Sequence, residues 1–294
     1  SVSGFLWLPL PQWRDLEGDV GRSKVILITR GILRQEMQSV RVIMGYMLGL
    51  TLLATGLSDF MRYIMEIKEP VNILEAFIVT ENHSMAGRFW VIGYLLIIAD
   101  APFVKENTCM ILYRSGRRVW SMGMVFYVFI QALLYTTCFA AVSVAVSVPY
   151  GFSGRLWSSP VYLLATNTSE AIARKYNIYF EGMAMMRHMT VLQAFGITFL
   201  YMLCYLVFIG VLLYVCSLLL GGFWGLAAVA VAHLGGVFIS FFAALPWCPA
   251  HYIDGAGGHW RYPCVFLVFI LIMTTVSLLA IGRVDIPTRT GGGA

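Results

Sequence analysis

Three sets of residues in this sequence have types and spacings that could do chemistry. Arg114, Arg117 and Arg118 stand at i, i+3 and i+4, which puts three guanidinium groups on one side of a helix. Met110, Ile111 and Tyr113 give the same segment an apolar patch. A short, basic, partly apolar helix suits docking into a groove on a partner chain; its plainer role is a positively charged loop that only fixes membrane orientation. His233 stands near the middle of an apolar run, just before Gly235 and Gly236. An ionisable group at that depth either serves transport or is a neutral imidazole bonded to a neighbouring helix. Cys248 and Cys264 lie 16 residues apart in a stretch with Pro246, Pro249, Pro263 and the aromatics Trp247, Tyr252, Trp260 and Tyr262. They suit a disulfide in an oxidising compartment, or equally two reduced thiols at the ends of membrane spans.

Other chemistries lack their residues. The P-loop pattern is missing, and Gly21-Arg22-Ser23-Lys24 resembles only its end. HExxH, CxxC and GxSxG do not occur, and the spacing of His251 and His259 matches no metal motif. No metal or cofactor is expected on this chain, and no enzymatic activity. Asn167-Thr168-Ser169 is formally a glycosylation triplet.

The elements that must position these residues follow from composition. Of 294 residues, 59% are hydrophobic and 12% charged, and the mean hydropathy is +0.78. Ordinary chains are about 45–50% apolar and about 25% charged. Twenty basic and 15 acidic residues are too few to clothe a soluble domain. A soluble enzyme and a nucleic-acid-binding module are excluded, and the net charge of +5 has to be read by location. The expected fold class is an all-α polytopic membrane protein. A crossing needs about 20 apolar residues, and six segments qualify: 40–61, 89–104, 121–148, 191–220, 223–245 and 265–282. The second is short and extends upstream. The spans form a domain over 40–282, after an N-terminal arm (1–39) and before a tail (283–294). Phe5–Leu10 is too short, and too broken by Pro9 and Pro11, for a signal peptide.

An even number of spans puts both ends on one side. Placing them in the cytoplasm assigns twelve of the Lys and Arg residues inside and eight outside, in keeping with the positive-inside rule. The outer segments are then 62–88, 149–190 and 246–264. Helical periodicity over Ser23–Arg41 sets Arg30, Arg34 and Arg41 on one side and Val25, Ile28, Ile32, Leu33, Met37 and Val40 on the other. That pattern fits an amphipathic helix lying at the lipid headgroups and running directly into the first span; a plain stop-transfer flank is the alternative. In the fifth span Ala228, Ala232, Gly236, Ser240 and Ala244 make a ridge of small residues that permits close helix contact, within the chain or between two copies. Asp100 is expected at the inner interface, and Gln131 in an interhelical hydrogen bond.

This layout resembles the permease subunit of type-2 ATP-binding-cassette exporters. An amphipathic helix feeds span one. The segment ILYRSGRRVWSMGMVFY, residues 111–127, looks like that family's coupling loop before span three. Gly221-Gly222 makes a tight inner turn, and an outer hairpin lies between spans five and six. The outer segments 62–88 and 149–190 are longer than in the simplest members. The resemblance implies a multi-pass protein of a bacterial cytoplasmic membrane, paired with a second copy or a paralogue on two cytoplasmic ATP-binding subunits. Those partners would hold ATP and magnesium. Tyr113, Arg114, Arg117 and Arg118 would couple this chain to them, and His233 and the small-residue ridge would lie near the path. Two other classes compete: an ion-coupled secondary carrier, which calls for a carboxylate in mid-membrane or an internal repeat, and a non-transporting scaffold or sensor.

Overall fold

A computed structural model describes residues 20–82, 86–101, 115–166, 168, 170–180, 182–238 and 261–282. The chain is mostly helical. Helix α1 (Val20–Glu36) leads to α2 (Val40–Ile67), a two-residue strand β1 (Val71–Asn72), α3 (Glu75–Glu81) and α4 (Ala86–Ile98). Next come α5 (Arg117–Ser147), which runs on into a 3-10 turn, β2 (Gly151–Phe152), α6 (Ser159–Ala165), α7 (Glu170–Lys175) and α8 (Met183–His188). The chain continues with α9 (Val191–Leu220), α10 (Gly222–Phe238) and α11 (Arg261–Ala280).

Among the described residues three helices are long and apolar enough to cross a membrane: α2, α5 with its 3-10 extension, and α9. At about 1.5 Å per residue, α2's 28 residues reach about 42 Å, beyond the ~30 Å hydrocarbon core. Gly222–His233 and Cys264–Ala280 are shorter apolar stretches. The protein is thus a helical membrane protein by length and composition. Exposed Ile43, Met44 and Met47 on α2, and Leu267, Val268 and Leu271 on α11, present the apolar surface a lipid environment accepts.

Local sequence explains the element boundaries. At the start of α9, Thr190 and Gln193 form a reciprocal capping box, with the Thr190 amide donating to Gln193 Oε1 at 3.0 Å. That helix ends at Gly221 with φ +93°, a conformation glycine adopts without penalty, so α10 turns straight back. Gly225 then lies so close to α9 that a Cβ would sit 2.4 Å from Ser217 Oγ. Between α2 and α4 the contact is also glycine-mediated: a Cβ on Gly93 would stand 2.7 Å from the Gly45 carbonyl oxygen and 2.9 Å from the Gly49 nitrogen.

Side-chain pairing fixes which helix ends gather. Arg41, at the start of α2, bridges to Asp100 just beyond α4. The Thr29 hydroxyl of α1 donates to the Gly123 carbonyl near the start of α5 at 3.1 Å. Arg117 donates to the Ile281 carbonyl after α11 at 3.4 Å. One end of the bundle thereby collects α1, the start of α2, the end of α4, the start of α5 and the end of α11. It exposes Arg30, Arg34, Arg117 and Arg118 and is called the basic end.

At the opposite end the long loops 149–190 fold into a cap. β1 pairs with β2 in parallel, Val71 with Gly151 and Asn72 with Phe152. Asn72 Nδ2 donates to the carbonyls of Gly154 (2.9 Å) and Leu156 (3.2 Å). The Trp157 indole donates to the Met189 carbonyl at 2.9 Å, and Tyr63 on α2 donates to the Pro160 carbonyl at 2.9 Å. Lys175 and Tyr176 both donate to Glu66 at the end of α2, at 2.7 and 2.5 Å.

Candidate functional site

The residues singled out by sequence fall at separate places. Arg117 and Arg118 are exposed at the start of α5; Tyr113 and Arg114 lie outside the described residues. Gly116, with φ +82°, interrupts the helix just before Arg117. Arg41 departs from expectation. The chain turns at residues 37–39 after α1 ends at Glu36, so α1 does not run unbroken into α2. Arg41 belongs to α2, while Arg30 and Arg34 stay exposed on α1. The Arg41 guanidinium is 2.8 Å from Glu36, whose side chain is 3% exposed, and 2.8 Å from Asp100. Pairing keeps it inside the bundle instead of at the headgroups.

His233 is buried, and its Nδ1 lies 2.6 Å from the Tyr205 hydroxyl of α9. It joins two helices as an interhelical hydrogen bond. The small-residue ridge does not make that contact: Ala228 is exposed and Ala232 half-buried, while Gly225, Val229 and His233 face α9. The reason is the tight Gly221 turn, which sets the rotation of α10 by seating Gly225 on Ser217. Gly236 is on α10; Ser240 and Ala244 lie outside the described residues. So does Cys248, and Cys264 carries a free, exposed thiol. Among the described residues no group of three or more His, Cys, Asp and Glu side chains could hold a metal ion.

What the fold does assemble is a polar, aromatic column between α2, α4 and α5. Tyr135 is its centre. Its hydroxyl donates to the Trp90 carbonyl at 2.8 Å and fills the notch left by Gly49 and Gly93, where Cβ atoms would fall 1.8 and 2.6 Å from it. The rings of Tyr46 and Tyr94 stand 5.4 and 5.7 Å from that of Tyr135. Tyr94 donates to the Val128 carbonyl at 3.2 Å, and Gln131 Nε2 to the Tyr46 hydroxyl at 3.4 Å. Tyr127 lies within electrostatic reach of Glu36, Arg41, Asp100 and Tyr46, and Tyr135 within reach of Glu81. The column thus runs from the ion cluster at the basic end to the foot of α3.

Helix α3 carries two buried carboxylates with opposite surroundings. Glu75 accepts from the Asn72 amide at 3.0 Å and from the Ser158 amide and hydroxyl at 2.7 and 2.5 Å. Its task is structural, clamping the outer cap onto α3. Glu81 is 5% exposed, and neither carboxylate oxygen has a hydrogen-bond partner. Next to it, Asn82 Nδ2 donates to the Ile78 carbonyl and to Thr198 of α9.

Sequence reading missed Glu75 and Glu81 because they stand in a segment assigned to an outer loop, where charge is unremarkable. The signal was the apolar run Ala76–Val79 between them, directly before a span too short on its own. The fold and site define a mostly helical protein with a polar interior, three of whose described helices are long and apolar enough to cross a membrane. Comparison with known protein families, characterised proteins and solved structures finds no match.

Proposed function

We propose that this chain is the membrane-spanning permease subunit of an ATP-binding-cassette exporter, coupled to a separate ATPase at its basic end. The observation that carries the reading is the gathering, at that one end, of α1 with exposed Arg30 and Arg34 and the start of α5 with exposed Arg117 and Arg118, whereas the opposite end is covered by a cap tied down through Glu75 and Asn72. In this reading α2, α3 with α4, α5, α9, α10 and α11 make six crossings. Helix α1 lies at the inner headgroups with Arg30 and Arg34 toward phosphate, and Arg117 and Arg118 sit at the root of the coupling loop. This chain would contribute the path and the contact; the partner would hold ATP and magnesium. A second copy or paralogue would complete the path, with the outward ridge of Ala228 and Ala232 free for helix contact.

The second reading is a proton- or sodium-coupled carrier, favoured by one observation: Glu81 is the buried carboxylate such a carrier requires. Charge reversal separates the two. Arg114→Glu, Arg117→Glu and Arg118→Glu together should abolish copurification of a cytoplasmic ATP-binding chain while membrane insertion is retained. Unchanged copurification in that variant, or its absence from the wild type, overturns the exporter reading.

A further inference from the structure

Buried carboxylates in this protein come in two kinds, and the contrast is informative. Glu75 has three donors and holds two parts of the fold together. Glu81 has none. An ionised carboxylate without hydrogen bonds or counter-charge inside a protein is too costly to persist, so such a group takes up a proton or a cation. Around Glu81, α5 presents Tyr135, α4 presents the Trp90 carbonyl that already accepts from Tyr135, and α9 presents Thr198, bonded to Asn82. The nearest acid along the helix, Glu75, is committed to Ser158 and Asn72.

Glu81 is 5% exposed, and among the described residues neither carboxylate oxygen has a hydrogen-bond partner. We propose that Glu81 is a reversible proton-binding site inside the bundle. The inference does not depend on an ATPase partner: loss of copurification and loss of the Glu81 proton are separate results.

The test uses the full chain in liposomes and dicyclohexylcarbodiimide, which reacts with protonated carboxyls in apolar surroundings. The acid proton passes to a carbodiimide nitrogen as the carboxyl oxygen bonds to the central carbon, and acyl migration leaves a stable N-acylurea. Peptide mass spectrometry should find the adduct on Glu81 at pH 6 and at least tenfold less at pH 9, with none on exposed Glu170 at pH 7. An unlabelled Glu81 at pH 6, or labelling of Glu81 no greater than that of Glu170, overturns the site; this measurement needs no variant to fold. Infrared spectroscopy at pH 6 should show a protonated-carboxyl band that Glu81→Gln removes; a wild-type spectrum without that band overturns the site.

Discussion

Replacing Gly93 with alanine should disrupt the centre of the bundle, and the geometry sets the size of the effect. The new Cβ would lie 2.7 Å from the Gly45 carbonyl oxygen, 2.9 Å from the Gly49 nitrogen and 2.6 Å from the Tyr135 hydroxyl. Two of these neighbours are backbone of α2 and cannot rotate away. Ordinary contact begins at 3.4 Å, so α4 must move off α2 by roughly 0.7 Å. Overpacking of this kind costs about 1–3 kcal/mol. The Tyr135 hydroxyl is displaced as well, and its bond to the Trp90 carbonyl contributes about 0.5–1.5 kcal/mol. Together the loss is roughly 2–4 kcal/mol. At about 2–4 °C per kcal/mol for a chain of this scale, the thermal midpoint in detergent should fall by roughly 4–16 °C. Gly31→Ala is the internal control: nothing lies within 4 Å of its Cβ position in α1, so the change should be neutral or stabilise by up to about 1 kcal/mol. If Gly93→Ala and Gly31→Ala melt together with the wild type, the close α2–α4 packing is refuted.

Two further outcomes follow from the same contacts. Glu75→Ala should free the Asn72 and Ser158 donors and cost about 1–3 kcal/mol, and limited proteolysis should cut within 149–166 faster than in the wild type. A double-mutant cycle with Tyr205→Phe and His233→Ala should return a coupling near 0.6 and no more than about 1.7 kcal/mol; a coupling of zero would remove that interhelical bond.

Several parts of this structure were legible in the sequence, and the physical reason is that they are local. The apolar stretches at 40–61, 121–148 and 191–220 coincide with α2, α5 and α9, because length and hydropathy alone select them. Gly221 marked its turn because only glycine favours that φ. Gln131 was expected to bond between helices and does so with Tyr46. What was not legible is a matter of rotation or pairing. Arg41 shares a helical phase with Arg30 and Arg34, but a turn at residues 37–39 breaks that phase and Glu36 with Asp100 captures the guanidinium. The small residues at 228 and 232 do not make the contact with α9, because the turn before them brings 225 and 233 into it. Glu75 and Glu81 look alike in sequence; only the folded position of Ser158, 83 residues from Glu75, makes one a clamp and leaves the other bare.

The most direct test of the exporter assignment is the mass of the intact assembly, released from its native membrane in mild detergent and measured by native mass spectrometry. The assignment predicts two membrane chains bound to two soluble chains that retain ATP or ADP. A membrane chain recovered alone, or with partners that bind no nucleotide, would contradict it.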